Sequence, residues 1–188
     1  MGELSFPRVH QIRLAYSALE DRLAIFLTMA AGDGRVAWIS RRGLVGLIGR
    51  VNAVLKKSHP AGEGEEAHDM VMALEHIGAR SQIAAQREQE KTQAADGAGP
   101  PVATPAEWVH SLITEVRVEP QGDGIVVAFL GQPVAGSPDK RIDAEPVAGL
   151  ALTRPHAHEI LRLMRANAEQ AGWDLNLPID WMRSDTAQ

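Results

Sequence analysis

Apolar and polar residues alternate along Ile12-Arg13-Leu14-Ala15-Tyr16-Ser17, the period-two signature of a strand with one buried face. After a turn-like Leu19-Glu20-Asp21-Arg22 the alternation resumes at Leu23, Ile25, Leu27 and Met29, and a third short run follows at Val36-Ala37-Trp38-Ile39. Gly32-Asp33-Gly34 lies between the second and third runs and tolerates the positive φ of a tight hairpin. The spacing then changes to three and four residues. Leu44, Leu47, Ile48, Val51, Val54 and Leu55 fall on one face of a helix predicted over 41–57. Ser40 stands at the N-cap, and His59-Pro60-Ala61-Gly62 stops the helix. Gly43, Gly46 and Gly49 inside it imply a close neighbour, because each weakens a helix by up to ~1 kcal/mol relative to alanine.

The same order returns later. Residues 113–118 alternate, Gln121-Gly122-Asp123-Gly124 repeats the turn chemistry, 125–130 is an apolar run, and 147–152 forms the third strand beyond a Pro- and Gly-rich loop. Thr153 takes the N-cap role of Ser40, Pro155 fits a first helical turn, and Ile160, Leu161, Met164 and Ala168 make the apolar face. Trp173, Leu175 and Leu177 alternate with Asp174 and Asn176 and predict a closing strand, and the tail from Ile179 to Gln188 is expected to fray unless Trp181 anchors part of it.

The predicted class is therefore α+β, with duplicated β-β-β-α units related by pseudo-twofold symmetry and an antiparallel sheet, or two packed sheets, covered by helices. Residues 1–91 hold the first unit and a middle helix, 92–106 a flexible linker, and 107–188 the second unit and the closing strand, in one compact domain. The middle helix, predicted over 65–90, carries Ala67, Met70, Val71, Leu74, Ile77 and Gly78 as its core stripe. Its second half is more polar and is expected to project into solvent or to pair with a second subunit, with Arg80, Ile83 and Arg87 as candidate protein contacts.

Composition narrows the possibilities. The 188 residues suit one domain, and 45% apolar content gives it a core without staples. Cysteine is absent, which excludes disulfides, thiolate metal sites and thiol nucleophiles. The amino-terminal segment lacks a signal-peptide pattern, Phe6 stands where myristoylation needs Ser or Thr, and no apolar run is long enough for a membrane span. A cytoplasmic location is the expectation.

Catalytic motifs are missing: no GxSxG, no Walker loop, and both Gly-Asp-Gly segments sit in hairpins rather than before a helix. No cofactor is expected. His156 and His158 lie two apart and point to different sides of a helix, so they read as first-turn surface residues rather than metal ligands. Glu65, His68 and Asp69 read as acidic dressing of a helix start.

Charge is unevenly spread within a net of −5. Arg41, Arg42, Arg50, Lys56 and Lys57 fall on the first helix, and acidic residues open the next. The cationic set is a candidate anionic-partner face, at the helix terminus that already favours phosphate. The preferred reading packs the two helices as an antiparallel hairpin whose charges cancel. Nucleic acid is accordingly the weaker partner expectation.

Residues 20–48, EDRLAIFLTMAAGDGRVAWISRRGLVGLI, and Ala171-Gly172-Trp173-Asp174-Leu175 resemble uncharacterised proteobacterial proteins that read E-D-R-L, a strand, a turn, Trp, an aliphatic residue, Ser or Thr, Arg-Arg and an apolar helix. The glycine-rich helix here departs from the bulkier one of that group. The resemblance implies a bacterial origin and a shared fold, and no activity. The functional expectation is a non-enzymatic cytoplasmic adaptor or accessory protein that works through protein contact, with a homodimer possible. The alternatives are a nucleic-acid-associated regulator using the basic helix and an enzyme with a pocket between the two halves.

Overall fold

The computed structural model describes residues 6–58, 64–95, 105, 107–133 and 143–182. Within them the chain forms strands β1 (Val9–Ser17), β2 (Arg22–Met29) and β3 (Gly34–Ile39), helices α1 (Arg41–Lys57) and α2 (Glu65–Ala95), strands β4 (Trp108–Gln121), β5 (Gly124–Pro133) and β6 (Glu145–Leu152), and helix α3 (Arg154–Gln170). The class is α+β. Most of the predicted linker, 96–104 with 106, and most of the loop before β6 lie outside the described residues.

The strands form one sheet in the order β1-β2-β3-β4-β5-β6. Every neighbouring pair is antiparallel except β3 and β4, which run parallel with Ala37 beside Ser111. The expected all-antiparallel sheet is thus corrected to a mixed one. Two helices separate β3 from β4, and a crossover that long lets the chain return to the starting end before the next strand. The sheet also curls until its outer strands touch. Gly149 of β6 donates its N–H to Pro7 at 3.1 Å, and Arg8 and Gly149 form a parallel bridge. Across the curl, Arg35 Nη1 of β3 donates to the Val147 carbonyl of β6 at 2.6 Å.

The core fills the concave face. Leu23, Ile25, Leu27, Ile39, Phe129 and Leu150 pack there against Leu44, Leu47, Ile48 and Leu55 of α1 and Leu161 and Met164 of α3. Ser40 Oγ accepts from Gly43 N at 3.2 Å, and Thr153 Oγ1 accepts from His156 N at 3.5 Å, so both helices start on a hydroxyl cap. Both Gly-Asp-Gly turns place their first glycine, Gly32 and Gly122, at positive φ. Of the three α1 glycines only Gly43 sits tight, where a Cβ would stand 2.8 Å from Ile39; a Cβ at Gly46 would meet open space.

The carboxy-terminal segment departs from the reading of the sequence in two ways. Trp173 to Leu177 form no strand but an extended strap, with Trp173 buried edge-on to Tyr16 and its indole N–H donating to Asp21 at 2.8 Å. Ile179, Trp181 and Met182 are core residues rather than a frayed tail, so the strap closes one end of the domain.

Candidate functional site

Helix α2 packs along α3, not along α1. Among the described residues, the expected antiparallel pairing of basic and acidic helices is reduced to the ion pair of Lys56 with Asp69. The close α2–α3 contact buries Met72, His76, Ala79 and Ile83. Polar side chains then fix how α2 is rotated about its own axis.

The main clamp is Arg154, in the first turn of α3. Its guanidinium makes a two-pronged contact with Glu75 at 3.0 and 2.6 Å, and it also donates to the Leu55 carbonyl and to Ser58 Oγ at the end of α1. Burial alone would raise the Glu75 pKa, but the hydrogen bonds and charge of Arg154, with His158, hold it below the ordinary carboxylate value. His158 Nε2 lies 3.3 Å from Glu75. Glu75 favours a charged imidazole, but burial wins and lowers His158 to about 4, so the contact joins a neutral imidazole to a carboxylate. The rings of His76, His158 and Trp181 pack together with centroids 5.2–5.9 Å apart. Trp181 donates to Asn52 at 3.0 Å, and Asn52 donates to the Pro178 carbonyl at 2.7 Å. With His76 and His158 each 1% exposed, solvent cannot reach this cluster; its role in the fold is to clamp α2, α3 and the strap together.

Further along, Glu159 is buried and accepts from Arg87 of α2 at 2.7 Å and from Arg162 at 2.8 and 2.9 Å. Burial opposes its ionisation, and the two arginines more than offset that, so its pKa lies low. The expectation of surface residues at the start of α3 is therefore corrected for His158, which α2 covers together with Glu159; His156 is exposed and bonds Thr153. Among the described residues no three acidic or histidine side chains gather as metal ligands.

The clamp turns Met70, Leu74, Ile77 and Gly78 of the predicted core stripe of α2 outward and leaves Ala67 and Val71 half-buried. Met70, Leu74 and Ile77 are 69%, 63% and 53% exposed. They follow one another at spacings of four and three residues and so form a continuous apolar ridge on one helix. Beside it, α2 and α3 enclose a groove of about 500 Å³ lined by Ile77, Arg80, Ala84, Arg87, Glu159 and Arg162. Comparison with models of known protein families, with curated proteins and with solved structures finds no match. The surface must be read on its own chemistry.

The candidate protein contacts converge here: Arg80 and Arg87 wall the groove, and Ile83 forms its buried floor. The cationic set disperses instead. Arg41 reaches Asp21 at 3.4 Å and lies 5.3 Å from the Trp173 ring, Lys56 serves Asp69, and Arg42, Arg50 and Lys57 are exposed. On the outer face of the sheet lies a patch that the sequence reading missed. Arg13 covers Phe26 at 3.8 Å, Phe26 meets Trp108 edge-on, and Trp38 stacks on His110 and donates to its Nδ1 at 3.0 Å. Gly34 permits this, because a Cβ there would stand 2.8 Å from the Trp108 ring. The signal was Phe26, which alternates with Ile25 and Leu27 in β2, together with Val36 and Trp38, which alternate with Ala37 and Ile39 in β3.

No described helix is long and apolar enough to cross a membrane.

Proposed function

We propose that this chain is a non-enzymatic, cytoplasmic interaction protein whose working surface is the outward face of α2. One observation carries the reading: three large apolar side chains in succession, each more than half exposed, on a helix whose other face is already well packed. Single exposed apolar residues are ordinary on protein surfaces, whereas a contiguous ridge beside a polar-walled groove is the anatomy of an interface. The groove adds arginine, a residue enriched at such surfaces. The same reading treats the two β-β-β-α segments as repeats about a pseudo-twofold axis along the curled sheet; the parallel β3–β4 seam and the parallel bridge from Arg8, just before β1, to Gly149 of β6 support it, each joining the end of one repeat to the start of the other.

The test is Leu74→Glu, a substitution at an exposed position. We expect folding and melting temperature to stay close to wild type while associations made by the wild-type protein are lost, measured by sedimentation and by affinity capture from the host. Retention of every association by the variant would refute the reading.

A second reading, a nucleic-acid-associated regulator, draws on Arg42, Arg50 and Lys57, which share the exposed side of α1. Phosphate contacts weaken steeply with salt, so a mobility shift present at low ionic strength and lost in Arg42→Ala/Arg50→Ala would favour it.

A further inference from the structure

We infer that the occupant of the α2 face is the α2 of a second copy of this chain, lying antiparallel to it. The inference rests on the proposed interaction role of α2 and names the partner.

The exposed face is unequal along its length. Its first half carries Met70, Leu74 and Ile77, and its second half carries Gly78, Ser81, Ala84 and Ala85. The face has open space at Gly78, where a Cβ would touch nothing. A parallel pair of α2 helices would set bulk against bulk and leave a void between the small residues. An antiparallel pair with its twofold axis between Ile77 and Gly78 sets Met70 against Ala85, Leu74 against Ser81 and Ile77 against Gly78. Each ridge then fills the other copy's shallow half.

Charge selects the same arrangement. With 3.6 residues per turn, Glu66, Arg80, Arg87 and Lys91 run along the one flank of the ridge that borders the groove. A twofold axis perpendicular to the helices brings each flank against its own copy, reversed end for end. Glu66 at the acidic end therefore meets Arg87 and Lys91 at the basic end, twice over. In a parallel pair the axis runs along the helices, each flank meets the opposite flank of the other copy at the same height, and Glu66 stays about 30 Å or more from Arg87 and Lys91 along the helix. Arg87 is 55% exposed at its side chain even while holding Glu159, so it has room for a second carboxylate. Such an isologous contact closes on itself and stops at two copies.

The absence of cysteine makes the geometry directly testable. Sedimentation of the full chain should give twice 20.3 kDa, and Leu74→Glu should bring it to 20.3 kDa. Ile77→Cys sits beside the axis and should oxidise to a covalent dimer. Met70→Cys should not, because its two copies stand about 22 Å apart along the helices, beyond the reach of a disulfide. Met70→Cys/Ala85→Cys should cross-link again. A monomeric wild type at high micromolar concentration would overturn the inference, as would a Leu74→Glu dimer or cross-linking of Met70→Cys as ready as that of Ile77→Cys. A monomer whose captured partners are still lost in Leu74→Glu would remove the self-pairing and leave the interaction role of α2 intact.

Discussion

Helix α2 carries two apolar faces of similar chemistry and opposite fate. Met72, Ala79 and Ile83 are buried against α3, and Met70, Leu74 and Ile77 stand in solvent. Hydrophobicity does not choose between them, since the outward face is the bulkier of the two. The choice is made by polar anchors spaced along the helix: Asp69 to Lys56, Glu75 to Arg154, and Arg87 to Glu159. Burying an unpaired carboxylate or guanidinium costs several kcal/mol, comparable to the gain from burying two or three extra apolar side chains, so anchors of this kind can set the rotation of a helix.

Removing the strongest anchor should have the largest effect. Arg154→Leu leaves Glu75 without its main partner and also unties Leu55 and Ser58. We expect a loss of about 4 kcal/mol in urea unfolding, together with faster amide exchange in α2. A loss below ~1 kcal/mol would mean that packing alone orients the helix.

The comparison sharpens when the same substitution is made on each face. Met72→Ala removes a side chain that is 1% exposed and should cost about 3 kcal/mol. Met70→Ala, two residues away and 69% exposed, should change monomer stability by no more than ~0.5 kcal/mol. Equal costs would collapse the distinction between the faces.

These two faces also mark where the sequence stops being legible. Helix α1 could be read from end to end, because Ser40 and six apolar residues at three- and four-residue spacing leave one solution. Both hairpin turns were legible for the same local reason, the positive φ demanded of Gly32 and Gly122. In α2 the periodicity marked Met70, Leu74 and Ile77 as one face but could not say which way that face points, since Arg154 lies 79 residues from Glu75. The parallel β3–β4 seam was likewise hidden, because it follows from the path of α1 and α2. The segment from Trp173 to Leu177 alternates as a strand would, yet its partners are side chains: Tyr16 and Asp21 receive Trp173. As for the candidate surface, the sequence pointed to Arg80, Ile83 and Arg87, which line the groove, whereas its spacing assigned the ridge beside them to the core.

The buried anchors predict a pH dependence of intermediate size. His158 is neutral in the folded chain down to about 4, whereas the unfolded chain takes up this proton near 6.5. Between those values the unfolded state binds more protons, so stability falls as pH falls. Glu75 and Glu159 act in the same direction further down: their pKa values lie below the ordinary carboxylate value, and their contribution is lost as pH drops through the folded values. Unfolding free energy should decline by about 2 kcal/mol from pH 7 to pH 5, and His158→Phe should flatten that window. A flat wild-type profile would mean that His158 takes up its proton in the fold as readily as in the unfolded chain.

The smallest effect separates the two faces most finely. Gly78 is exposed in the middle of α2, and a methyl group there would meet nothing within its own chain. Gly78→Ala should therefore stabilise the helix by about 0.5–1 kcal/mol, as removing an interior glycine does. In the antiparallel pair, however, Gly78 lies beside the axis and receives Ile77 of the other copy, so the same methyl group would push the two helices apart. Placed in a Leu74→Glu background, where no pairing competes, Gly78→Ala should raise the melting temperature; in the wild-type background it should weaken the dimer in sedimentation. If it raised stability and left the dimer unchanged, Gly78 would lie off the contact and the axis would have to move along α2.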